Sequence, residues 1–462
     1  MLWRSNPQPN FSPESKLQTR ARATSPVVRA HLVLILMLVL SACGNNRTRG
    51  VVLPMWHSLQ GVQARVLLQL VDRWNQSNPD GIVVVPEYRP AMTMHAELVG
   101  TSTNTRTSVR NRERLPSLML VSPMQAATYA RENLLATLDK FVSDEASGAS
   151  LSPPDISDLY PFVLNAGRTA QGNLIGAPMG GRVRMMLYNR DWLKSAGFDG
   201  PPTTWIQMSD MCNIAANSTR GTLCFAVAED HTTLEDWLLA SGTRLVSSDG
   251  SLMQANVPGA LDVMNRLVQF LEQRQVYRVI NTTKSREDFA AGLTPFAFDW
   301  SDAIDLYQAD IKQRANFDWD ATTLPGANGV GQPADVMYES NLWVVSSQPI
   351  GDSGPNRELA SWKFMRWLLD TPQTVEWART TGDLPARKSA RAQLEENPVR
   401  ATVLEQVTNG ARPVPLLSGW GCVRKTMGSG IRNILDGHLV TETLRTVQLT
   451  AQSELGFDCA LR

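Results

Sequence analysis

The sequence predicts an α/β protein, and three local patterns carry that prediction. Residues 51–56 (Val-Val-Leu-Pro-Met-Trp) read as a buried strand. Residues 59–75 follow with Val66, Leu67, Leu70, Val71 and Trp74 at helical spacing. The turn Asn78-Pro79-Asp80-Gly81 then leads into a second apolar run, 82–86. Strand, helix, strand is how an α/β domain opens.

The pattern continues along the chain. A third strand is expected at 118–121, followed by a helix that starts at 126. A second α/β segment opens near Gly176, with a strand at 185–189 and a short helix over 190–196 that Gly197 ends. Thr204 is placed to cap the helix that follows it. Further strands are expected at 295–299 and 342–345, and further helices at 233–240, 260–273, 359–370 and 372–379.

Composition narrows the function classes. The 462 residues are 19% charged and 43% apolar, the balance of a globular chain. Lysine plus arginine equal aspartate plus glutamate at 44 each, so no basic footprint for nucleic acid exists.

The N-terminus predicts export. Arg20, Arg22 and Arg29 precede the apolar run 32–40, and small residues close it at Ser41-Ala42-Cys43. Such a run is too short to cross a bilayer, which takes about twenty residues. Leu40-Ser41-Ala42-Cys43 resembles a bacterial lipobox, which implies a cut before Cys43 and a lipid on it. Residues 1–43 are then an extension plus signal peptide, and 44–50 a polar tether. Four cysteines remain for an oxidising compartment: Cys212, Cys224, Cys422 and Cys459. Proximity suggests Cys212 with Cys224 and Cys422 with Cys459, among three possible pairings. The sequence contains no C-x-x-C and its histidines are scattered, so neither a metal site nor a cofactor is expected.

Several segments, in order, resemble one family. They are Trp56-His57-Ser58-Leu59-Gln60-Gly61, Leu115-Pro116-Ser117-Leu118, and Gly172-Asn173-Leu174-Ile175-Gly176-Ala177-Pro178 with Leu187-Tyr188-Asn189. Ala196-Gly197-Phe198, Pro202-Thr203-Thr204-Trp205 and Gly382-Asp383-Leu384-Pro385-Ala386-Arg387-Lys388 complete the set. Together they are similar to the extracellular solute-binding proteins of sugar-type ABC importers, over residues 51–455.

The resemblance implies a two-lobe, class II periplasmic-binding-protein fold with a ligand cleft between the lobes. It implies lobe 1 from 51–166 and 338–383, and lobe 2 from 167–337 and 384–462. It also implies a monomer in the cell envelope that hands a sugar, polyol or sugar phosphate to ABC permease subunits.

Ligand residues follow by the same likeness. Trp420 falls on a sugar-stacking position, where an indole covers the apolar face of a pyranose. Trp300 is a second stacking candidate, and Asp299 a hydroxyl acceptor. Gly181 allows close backbone approach, and Arg182 can pair with an anionic group. His57 and Ser58 end the first strand, Glu339 sits at a lobe crossing, and Arg424 aligns with an arginine of the glycerol-phosphate type. That type has a tyrosine and a glutamate where this chain has Met92 and Ser122-Pro123, which favours a neutral sugar. The rival is an exported carbohydrate hydrolase using Asp299 and Glu339 as its carboxylate pair. The sequence holds no G-x-S-x-G, H-E-x-x-H or P-loop.

Overall fold

The computed structural model describes residues 50–99, 115–145, 148–216, 219, 221–326, 334–347, 355–394, 397–407 and 410–459. Cys43 and nearly all of the tether therefore lie outside the described residues. The chain from Val51 onwards forms one compact unit.

The first sheet is built from β1 (Val52–His57), β2 (Val83–Tyr88), β3 (Leu118–Val121) and β4 (Gly176–Ala177), joined later by β11 (Leu342–Val345). Its order is β2-β1-β3-β11-β4. β1 runs parallel to both β2 and β3, while β11 is antiparallel to β3 and β4. The crossover helix between β1 and β2, Gly61–Ser77, buries Val66, Leu67, Leu70, Val71 and Trp74, the stripe read from the sequence. The helix Pro123–Arg131 follows β3 and begins with a reciprocal cap between Ser122 and Gln125.

The second sheet is organised by one long strand, β5 (Gly180–Asn189). Two short strands, β6 (Phe225–Ala228) and β7 (Val276–Val279), pair only with each other. β8 (Phe296–Trp300) and β9 (Trp319–Thr322) flank the second half of β5. Its first half pairs with β10 (Val336–Glu339) and β12 (Leu384–Pro385), and β10 also pairs with β13 (Ala411–Pro413).

Three short stretches link the two sheets. The chain passes from β4 to β5 between Ala177 and Gly180, and from β10 to β11 through Ser340 and Asn341. It returns through Gly382 and Asp383 into β12. The expected boundary at 166/167 is thus too early, because Gly176 and Ala177 still bond to β11 of the first sheet. Two glycines make these passes possible. A Cβ on Gly181 would stand 2.6 Å from the Glu339 carbonyl and 2.7 Å from the Tyr338 ring. Gly382 sits at φ +85° and would meet the Asp302 carbonyl at 2.8 Å.

Disulfides join Cys212 to Cys224 and Cys422 to Cys459. These are the pairings that sequence proximity favours.

Candidate functional site: the cleft between the sheets

The three passes converge on a cavity of about 370 Å³, within the size range of small-ligand pockets. Residues from both sheets wall it. Leu120 comes from β3 of the first, Ser122 and Met124 from the start of the helix that follows it, Gln63 from the helix Gly61–Ser77, and Gly180, Gly181 and Arg182 from β5. Glu339, Ser340, Asn341, Trp377 and Asp383 stand at the second and third passes, and Asp302 follows β8.

Charge in this cavity is organised as an alternating chain. Arg182 donates to Asp302 at 3.2 Å and to Glu339 at 2.8 Å. Arg424 donates to the other Glu339 oxygen at 2.7 Å and to Glu235 at 2.9 Å. Burial alone would raise the Glu339 carboxyl, but the two guanidiniums outweigh it and bring it down to about 2. Asp383 is the opposite case. Burial and the neighbouring Asp302 carboxylate push it up to about 6, against a bond from Trp377 Nε1 at 2.6 Å. Arg424 also faces a second, more open cavity with Met124, His231, Lys425 and Arg432. Its Nη2 is buried and meets no acceptor.

Of the residues expected from the sequence, Gly181, Arg182 and Glu339 line the cavity and Arg424 braces it. Ser122 and Pro123, which stand where the glycerol-phosphate type has another residue, line it too, whereas Met92 is exposed.

The remaining expectations are corrected by packing. Trp420 is wholly buried on the inner face of the helix Trp420–Leu435, in line with Val423, Met427, Ile431 and Ile434. An indole sealed at 0% exposure presents no face to a solute. Asp299 is also buried, accepting from Tyr307 at 3.2 Å and lying 3.9 Å from Arg184. That leaves no room for a hydrolase pair with Glu339, itself held between two arginines. Trp300 is half-buried with the Arg182 and Arg184 guanidiniums over its ring at 4.5 and 5.1 Å, so cations cover the surface a sugar would need. His57 is buried edge-on to Tyr88, and neither it nor Ser58 lines the cavity.

Asp302, Trp377 and Asp383 escaped the sequence reading. The signal for Asp383 was present, since it stands inside the Gly382–Lys388 segment that marked a lobe crossing. Asp302 lies two residues beyond Trp300, the second stacking candidate.

The profile of the bacterial extracellular solute-binding proteins matches residues 100–402, well over half of the chain. The chain belongs to that family. This solute-binding protein is therefore of an exported class, and its relatives are named as binders of solutes. It is 25% identical over 439 residues to the sn-glycerol-3-phosphate-binding periplasmic protein UgpB of Escherichia coli K12, covering 91% of this chain and 93% of that one. The Salmonella typhimurium counterpart is 24% identical over 422 residues, covering 87% and 90%.

Among solved structures, the sugar-binding protein MalE of Xanthomonas citri superposes with a TM-score of 0.73 at 18% identity, covering 88% of this chain and 97% of that one. UgpB of Mycobacterium tuberculosis in complex with glycerophosphocholine gives 0.62 at 17% identity, covering 87% and 98%. These likenesses establish the two-lobe α/β fold, with the two sheets as the cores of its lobes.

Proposed function

We propose that this solute-binding protein serves an ABC importer, capturing a sugar or sugar-like solute in the cleft and presenting it to the permease. The observation that carries the reading is the cavity at the three passes. Arg182, Asp302, Glu339, Ser340, Asn341 and Asp383 turn polar groups into one small volume beside the Trp377 indole. Hydroxyl groups need such a mixture of acceptors and donors. The names of its relatives, sugar binders and glycerol-phosphate binders, support the same solute range. We read the passes as the hinge of lobe closure, and the protein as a monomer, since one chain supplies every wall of the cavity.

A thermal-shift screen of the purified protein against sugars, polyols and sugar phosphates tests the reading, because a ligand that binds only the folded state raises its melting temperature. A chain that shifts with none of them is not a sugar-type binder.

The anchor is part of the same proposal. A lipobox-like signal ending at Cys43 supports attachment by acylation, and several acyl chains on one residue exceed what stable anchoring needs. Cys43→Ser should release the protein from the membrane fraction or trap its precursor. Unchanged fatty-acid labelling would refute the anchor.

A further inference from the structure

Counting the charges in the cleft narrows the solute. Resting on the sugar-like reading above, we propose that the solute carries a primary ammonium group, held by Asp302 and Asp383. Three carboxylates line the cavity, Asp302, Glu339 and Asp383, and the only cation among the described lining residues is Arg182. The neighbouring Arg424 does not restore balance, because it is shared between Glu339 and Glu235. Along the chain Asp302–Arg182–Glu339–Arg424–Glu235, three carboxylates face two guanidiniums. Asp383 adds a fourth.

The surplus sits at one end. Glu339 is saturated by an arginine on each oxygen. Asp302 is engaged through a single oxygen, Oδ2, at 3.2 Å. Asp383 makes no ion pair among the described residues and receives only the Trp377 N–H. An anionic group entering here would meet two incompletely paired carboxylates, while the one guanidinium that lines the cavity is already held by Asp302 and Glu339. A neutral hydroxyl could donate to either carboxylate but would leave their charge uncompensated as the cleft closes over them, a costly state. An ammonium group supplies both the charge and three N–H donors, and the adjacent Trp377 ring suits a cation. A divalent ion would need more ligands than this pair offers. Among the described residues no group of three or more His, Cys, Asp or Glu stands close enough to hold one.

The test uses matched sugars that differ only in their C2 substituents. Glucose, glucosamine and N-acetylglucosamine form one set; cellobiose, the glucosamine disaccharide and its di-N-acetyl form make another. Calorimetric titration of the full-length protein at pH 7.5 should show the amino member binding at least tenfold more tightly than both counterparts. Asp383→Asn should remove most of that preference, and Asp302→Asn provides a second variant should the first fail to fold. If the neutral members bind as well as the amino sugars, the ammonium inference falls while the sugar reading stands. Binding by no member of either set overturns the ammonium inference, and the wider thermal-shift screen then decides the sugar-like reading by itself.

Discussion

Arg182 and Arg184 stand two residues apart on the same face of β5, and both cover the ring of Trp300. Their surroundings could hardly differ more. Arg182 is about a third exposed and opens on the cleft. Arg184 is 3% exposed, bonded to Asp236 at 2.6 Å with Asp299 nearby, all sealed in the core of the second lobe. Two identical side chains on one strand thus serve different ends. The half-open one can trade partners with a solute, while the sealed one cannot move without leaving a buried charge behind.

The largest expected effect breaks that pair apart. Arg184→Ala leaves Asp236 buried without its partner, and burial already pushes that carboxyl up to about 7 against the guanidinium's pull. Loss of one partner from a buried pair costs about 3–5 kcal/mol, which denaturant unfolding would measure. Arg182→Ala should cost about 1 kcal/mol or less in stability and change solute affinity instead. Equal destabilisation by the two variants would erase the distinction.

A smaller effect sharpens the comparison through pH. Asp383 titrates near 6 in the folded protein, above its unfolded value near 3.8. Its contribution to stability is therefore fully present below about pH 4 and is lost as pH rises through 6. Asp302, Arg182 and Arg400 are the charged groups that act on it, and Trp377 is its hydrogen-bond donor. Asp383→Asn should stabilise the ligand-free protein at pH 8 by about 1–3 kcal/mol and flatten the fall in melting temperature between pH 4 and 7. A slope as steep as that of the unaltered protein would assign the pH dependence elsewhere.

The same pairing explains what could be read in advance. Helix and strand periodicity located β1, the helix Gly61–Ser77 and β3, because local patterns decide such elements. The first half of β5 was not legible as strand, since Gly180-Gly181-Arg182 has the composition of a loop. It is strand because β10 and β12, more than 150 residues away, pair with it. The family resemblance placed Arg182 and Glu339 in the cleft, but could not tell which way Asp299 or Trp420 would face. Facing is decided by packing. A tryptophan and an aspartate look alike in sequence whether they meet solute or core.

The least effect concerns a contact outside the cavity lining, where first-lobe helices meet the C-terminal tip. Asp458 lies 3.3 Å from His95 Nε2 and accepts from Thr128 at 3.2 Å, while Arg131 donates to Ser418 at 2.9 Å and to the Gly456 carbonyl at 3.1 Å. The Cys422–Cys459 disulfide fixes this tip to the helix that carries Arg424. These polar contacts are part-buried to exposed and make no fully buried ion pair, so each contributes about 0.2–1 kcal/mol. They join elements of different lobes, and opening the cleft would break them while leaving each lobe's own core intact. Asp458→Ala should therefore weaken solute affinity by about 1.4- to 5-fold and leave the ligand-free melting temperature nearly unchanged. A structural role inside one lobe would do the reverse, lowering the melting temperature while sparing affinity. Titration and melting curves on the same preparation separate the two, and an unchanged affinity would make the tip a bystander to closure.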